Sequence, residues 1–110
     1  MFLESNLSAS FIDCEFSHNV ADFDGGAMSS SGLLSVSVTA CHFANNDAEN
    51  GSGGAVAVTR SSFFEISDSI IQGNTALKIG GGISAVQSNL SLHNTTFINN
   101  GMYTPKMVWF

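Results

Sequence analysis

Phe43-Ala44-Asn45-Asn46, followed after six residues by Gly53-Gly54-Ala55, decides the architecture, because the pair of motifs recurs along the chain. The tetrad returns as Phe16-Ser17-His18-Asn19, Ile71-Gln72-Gly73-Asn74 and Phe97-Ile98-Asn99-Asn100, with Asn-to-Asn spacings of 27, 28 and 26 residues. Gly25-Gly26-Ala27 and Gly81-Gly82-Ile83 lie 28 residues to either side of the central triplet. Self-similarity at one fixed period of this size is the signature of a solenoid.

Aligning the units on the residue two before the Phe or Ile exposes more columns. That position holds Cys14, Cys41, Ser69 and Thr95, always small. Three residues earlier stand Phe11, Val38, Ile66 and Leu92, and five earlier Ala9, Val36, Phe64 and Leu90, with polar Ser10, Ser37, Glu65 and Ser91 between them. Apolar, polar, apolar is the period-2 signature of a half-buried strand. A helical period would scatter these columns around a circumference. The parity breaks at Asp13, Ala40, Asp68 and Asn94, which predicts a corner where Asp and Asn suit the turn. A second strand runs to the Asn column, and a third follows the glycines as Ala27-Met28-Ser29, Ala55-Val56-Ala57-Val58 and Ile83-Ser84-Ala85-Val86. Both faces of the third are apolar, so the sequence leaves its inward face open.

Three short strands per unit, every unit stacked on the next, predict an all-β, right-handed parallel β-helix of about four coils of ~27 residues, pectin-lyase-like, with the first and last coils incomplete. It would span residues 7–100, leaving 101–110 as an irregular apolar tail. Phe16, Phe43, Ile71 and Phe97 are its apolar spine. Asn19, Asn46, Asn74 and Asn100 form an amide ladder, since each amide carries both donors and an acceptor. Gly25, Gly26, Gly53, Gly54, Gly81 and Gly82 mark corners that need positive φ or close coil-to-coil approach. Entry in mid-coil at residue 7 and uncapped ends make the chain a piece of something longer, whose open ends stack on further coils or self-associate.

Composition excludes several classes. The 110 residues carry nine acidic and three basic side chains, a net charge of -6. Nucleic-acid binding needs a Lys/Arg surface that is missing here. No window approaches the ~18 apolar residues that would cross a bilayer as a helix. Met1-Phe2-Leu3-Glu4-Ser5-Asn6 has neither the basic start nor the apolar core of a secretory signal.

The alternation of Phe16-Ser17-His18-Asn19 and Gly25-Gly26-Ala27 with Phe43-Ala44-Asn45-Asn46 and Gly53-Gly54-Ala55 resembles the repeat of chlamydial polymorphic outer membrane proteins, which other microbial surface proteins share. The resemblance covers residues 7 to 100, with Ile71 in the place of a Phe. It implies a right-handed parallel β-helix and, since the chlamydial members are autotransporter passengers acting as adhesins, a cell-surface or extracellular location. A complete autotransporter is not expected, because no signal peptide or membrane barrel is recognisable. The function carries over by analogy alone.

Sharper roles for single residues each face a plainer one. Cys14 and Cys41 share a column in neighbouring coils, ~4.8 Å apart, close enough for a disulfide, but a small buried column that holds Cys twice, as Ser69 and Thr95 fill it elsewhere, is the simpler account. Asp22, Asp24, Asp47, Glu49 and Asn50 gather oxygen ligands of the kind calcium takes, yet Lys78 interrupts the third loop and a solvated acidic edge is the simpler account. Asp13 and Asp68 share a column two coils apart, ~9.6 Å, at the far limit for inverting glycosidase carboxylates, with Glu65 nearby. The corner favours Asp anyway. His18, His42 and His93 fall in three columns and make no metal triad. Sequons stand at Asn6, Asn50, Asn89 and Asn94. No cofactor motif is present. The expected function is therefore a non-catalytic surface module, structural or adhesive, with a protein or glycan ligand. The alternatives are a fragment of a β-helical polysaccharide lyase or glycosidase, and a truncated gene product with no role of its own.

Overall fold

The computed structural model describes residues 1–4, 8–32, 35–60 and 63–102. Residue 7, the sequon at Asn6 and positions 103–110 of the expected tail lie outside the described residues. All regular structure among the described residues is strand, and all of it pairs in parallel.

Four sheets of four strands stack as a β-solenoid of about three turns. The first sheet holds β1 (Phe2–Glu4), β5 (Met28–Ser31), β9 (Val56–Thr59) and β13 (Ile83–Val86). The second holds β2 (Ser8–Ile12), β6 (Ser35–Thr39), β10 (Phe63–Ser67) and β14 (Leu90–His93). The third holds β3 (Glu15–Ser17), β7 (His42–Ala44), β11 (Ile70–Gln72) and β15 (Thr96–Ile98). The fourth holds β4 (Val20–Ala21), β8 (Asp47–Ala48), β12 (Thr75–Ala76) and β16 (Gly101–Met102). Parallel strands need long crossovers. Here the crossover is the rest of the coil, so each strand meets its counterpart one coil later.

Register follows the aligned columns through most of the chain. Ala9 pairs with Val36 and Phe64 with Leu90 in the second sheet, and Phe16 with Phe43 and Ile71 with Phe97 in the third. A one-residue slip would turn every inward side chain outward, so the apolar alternation enforces this register. The core is continuous from Met28, Val36 and Val38 through Phe43, Val56, Val58, Phe64, Ile66 and Ile71 to Ile83. Phe16 and Phe43 stack with ring centroids 4.8 Å apart and planes 9° from parallel, while Phe11 meets Phe16 edge-on at 5.9 Å and 75°. In the first sheet the inward face left open by the sequence is that of Met28 and Ser30, and of Val56 and Val58.

Three expectations are corrected. Each coil has four strands, because the segment after the Asn corner, expected as loop, pairs over two residues: Val20 with Asp47, Thr75 with Gly101. Two-residue strands are too short to show alternation. The third glycine corner is also displaced by one residue. Met28 pairs with Val56 and Val56 with Ile83, so Gly82 stands in the column of Ala27 and Ala55, and the glycine columns are Gly25, Gly53, Gly80 and Gly26, Gly54, Gly81. The cause is local. The second coil has four residues, Glu49 to Ser52, between its short strand and its first corner glycine, where its neighbours have three. In a run of three glycines the period of 28 selects the wrong pair. Parallel pairing also continues through Met102, beyond the boundary expected at 100.

The glycines meet two separate demands. Gly25, Gly53 and Gly80 have φ of 68°, 71° and 66°. Gly26, Gly54 and Gly81 answer close approach: a Cβ on Gly54 would collide with the carbonyl oxygen of Gly81 and the backbone of Thr75 in the next coil.

Candidate functional site

Two columns of polar side chains directed into the solenoid form ladders, and their geometry shows what they do. Asn46, Asn74 and Asn100 are buried, at 0%, 0% and 3% exposure, which an amide tolerates only when fully bonded. Asn46 Oδ1 accepts from the backbone N–H and the Nδ2 of Asn19, both at 3.0 Å. Asn74 Oδ1 accepts the same two donors of Asn46 at 2.9 Å, and Asn100 Oδ1 those of Asn74 at 2.9 Å. The remaining Nδ2 hydrogen reaches back one coil, from Asn46 to the Phe16 carbonyl, Asn74 to Phe43 and Asn100 to Ile71. Every Oδ1 faces the first coil and every donor pair the last, so the ladder has a direction.

A second ladder accounts for the small column. The thiols of Cys14 and Cys41 and the hydroxyls of Ser69 and Thr95 each donate to the carbonyl two residues earlier, at 3.4, 3.3, 2.8 and 2.9 Å. Cys41 and Ser69 also accept a backbone N–H from the coil before, Cys14 N to Cys41 Sγ at 3.4 Å and Cys41 N to Ser69 Oγ at 3.1 Å. The column requires a short side chain that can both donate and accept, which Cys, Ser and Thr share. Both thiols are free. Burial pushes the pKa of Cys41 above its ordinary value.

The outward acids are spread over the same scaffold. Asp13, Ala40, Asp68 and Asn94 occupy one left-handed corner, with φ of 55°, 55°, 51° and 48°. Asp68 Oδ1 accepts from Asn94 Nδ2 at 2.7 Å, so the candidate carboxylate is tied to its corner partner. Asp24 Oδ1 caps the Ser52 N–H at 2.8 Å and Asp47 Oδ1 accepts from Thr75 Oγ1 at 3.0 Å. Two members of the acidic edge, Asp24 and Asp47, thus bond from coil to coil. Among the described residues no group of three His, Cys, Asp or Glu side chains is placed to hold a metal ion. His42 lies 3.7 Å from Glu15 and His93 3.8 Å from Glu65, two separate pairs on the outer surface, and His18 sits at another corner. Sequons Asn50, Asn89 and Asn94 are exposed.

A further left-handed column was missed from the sequence: His18, Asn45, Gly73 and Asn99, with φ of 57°, 57°, 66° and 51°. Its signal was present, since Asn, Gly and His are the residues that enter this region most readily.

No curated protein and no solved structure matches the chain. Residues 68–86, which run from the Asp68 corner through Ile71, Asn74 and the Gly80-Gly81 corner to the end of β13, match the family model described as the Chlamydia polymorphic membrane protein repeat.

Proposed function

We propose that the chain is a non-catalytic, cell-surface β-helix module whose long lateral faces present a ligand-binding surface, in the manner of an adhesin. The observation that carries this reading is the assignment of its recurrent polar residues to the fold. The Asn ladder, the thiol and hydroxyl ladder and the Asp68 carboxylate are engaged in holding coil to coil. What remains toward solvent on the second sheet is a mixed face in which hydroxyls of Ser8, Ser10, Ser35, Ser37, Thr39, Ser67 and Ser91 are interspersed with Ile12, Phe63 and the Glu65–His93 pair. Such a face suits a polar protein or glycan surface. The polymorphic membrane protein repeat at 68–86 supports an outer-membrane or surface setting. The test is binding of the purified chain to a glycan array and to intact host-type cells, run beside an assay for sugar release from polygalacturonate. Saturable binding without turnover is expected. Release of reducing sugar or unsaturated uronate would transfer the chain to the β-helical lyases and hydrolases.

A further inference from the structure

The chain holds two Asn-Gly pairs, Asn50-Gly51 and Asn100-Gly101, and the fold treats them in opposite ways. In such a pair the glycine nitrogen can attack the side-chain amide carbon of the residue before it, because no Cβ on the attacking residue obstructs the approach. The step needs an amide free to turn, a glycine N–H engaged by no acceptor, and a backbone able to bring the two together.

Asn100-Gly101 meets none of these needs. Asn100 is buried, its Oδ1 accepts the backbone N–H and the Nδ2 of Asn74, and its own Nδ2 donates to the Ile71 carbonyl. The Gly101 N–H donates to the Asn74 carbonyl at 3.0 Å. Asn50-Gly51, in the second coil, is the reverse case. Asn50 is exposed, and no described residue bonds to its side-chain amide or to the Gly51 N–H. The backbone there also bulges. Leu77 and Lys78, adjacent in the third coil, donate to the carbonyls of Ala48 and Gly51 at 3.2 and 2.9 Å, so the carbonyls of Glu49 and Asn50 are passed over. The extra residue of the second coil is taken up at this point, outside the ladder, as a β-bulge leaves its added residue unpaired. Packing keeps a glycine after Asn50, since a Cβ at position 51 would collide with Asp24 Oδ1 and the Phe23 backbone of the coil before.

We propose that Asn50 is a site of spontaneous covalent modification, with water as the only co-reactant. The Gly51 nitrogen gives its proton to solvent and bonds to Asn50 Cγ; the Cγ–Nδ2 bond breaks, and Nδ2 leaves as ammonia with a proton returned from solvent. The product is a cyclic imide. Water then opens the ring at either carbonyl, giving an aspartate or an isoaspartate whose main chain runs through the former side chain. The net change is amide plus water to carboxylic acid plus ammonia, with no oxidation or reduction. The new carboxylate makes the net charge of -6 one unit more negative, on an edge that already carries Asp22, Asp24, Asp47 and Glu49. It also removes the sequon at Asn50.

The test holds the full chain at 37 °C and pH 8 in oxygen-18 water for several weeks, native and in guanidinium chloride, and maps its peptides by mass spectrometry. In the native chain Asn50 is expected to convert at least tenfold faster than Asn100, which must first open locally. In guanidinium the two rates should come within about threefold of each other, with Asn100 accelerated and Asn50 nearly unchanged. Isoaspartate, detected by enzymatic methylation, should accompany aspartate at Asn50, which direct hydrolysis of the side-chain amide would not produce. Asn50→Gln, with circular dichroism and melting temperature verifying its fold, should lose the acidic species that isoelectric focusing resolves in the aged parent chain. A native Asn50 no faster than Asn100, an Asn50 slowed tenfold by folding, or aspartate alone as its product overturns the proposal.

Discussion

At the scale of single residues, the interior amides show how position in a ladder sets the energetic weight of an identical side chain. Replacing Asn74 by Leu would strand the Asn46 backbone N–H, an Asn46 Nδ2 hydrogen and the Phe43 carbonyl, all buried. At about 1–3 kcal/mol for each unsatisfied group, the loss should reach ~4 kcal/mol or more. Asn19→Ala removes one amide bond at an exposed end, where water substitutes and Asn46 Oδ1 keeps its backbone donor, so about 1 kcal/mol or less is expected. Urea denaturation of both variants makes the comparison, and equal costs would refute the ladder account. The thiol column yields a pH dependence. Burial raises the pKa of Cys41 above its ordinary 9.0, so folding favours the neutral thiol. Its contribution is complete below the unfolded value and is lost as pH rises from there through the higher folded value. Cys41→Ser retains a hydroxyl to accept the Cys14 N–H and removes the titration. Stability of the parent chain should therefore fall more between pH 7 and pH 10 than that of Cys41→Ser, as measured by chemical denaturation at each pH.

At the scale of elements, legibility depended on whether a strand was long enough to alternate. The five-residue strands β2, β6 and β10 declared themselves through Ala9, Phe11, Val36, Val38, Phe64 and Ile66, and their register followed. The two-residue strands of the fourth sheet offer a single inward position, Ala21, Ala48 or Ala76, from which no period can be read. The glycine corners were visible as corners, but their register was hidden by the extra residue between Glu49 and Ser52. The Asn column was legible from spacing alone. The bonds through which the Cys, Ser and Thr column acts were not, because donation to a carbonyl two residues back depends on the left-handed corner between. The two kinds of corner respond differently to substitution. Gly54→Ala drives a Cβ into the backbone of the following coil, which has no flexible side chain to yield, and should cost more than ~4 kcal/mol or abolish folding. Gly73→Asn meets only the side chain of Asn45, in a column where His18, Asn45 and Asn99 already hold the left-handed conformation, so a change within ~1 kcal/mol is expected. Thermal unfolding of the pair separates close approach from backbone conformation as the reason for glycine.

At the scale of the whole molecule, a stack of coils distributes stability unevenly along its axis. Each coil touches only its neighbours, so an interior coil is held on two sides and an end coil on one. The burial pattern records this: Val36, Val38, Phe43, Phe64, Ile66 and Ile71 are at 0% exposure, while Phe11 and Phe16 before them and Leu90, Leu92 and Phe97 after them are only partly covered. Opening an end coil therefore exposes apolar surface that is already partly wet and breaks one set of ladder bonds. Opening a central coil breaks two sets and exposes its whole inward face to water. Local opening energies should rise from both ends toward the middle, and amide exchange reads them directly. Backbone amides in β6, β7, β10 and β11 are expected to exchange at least tenfold more slowly than those in β2, β3, β14 and β15 under native conditions. Phe43→Ala, which opens a cavity in the central stack at about 3–5 kcal/mol, should lower protection in the middle coils by more than in the outer ones. Uniform protection along the axis would mean that the chain opens only as a single cooperative unit, and the nearest-neighbour description of its stability would then fail.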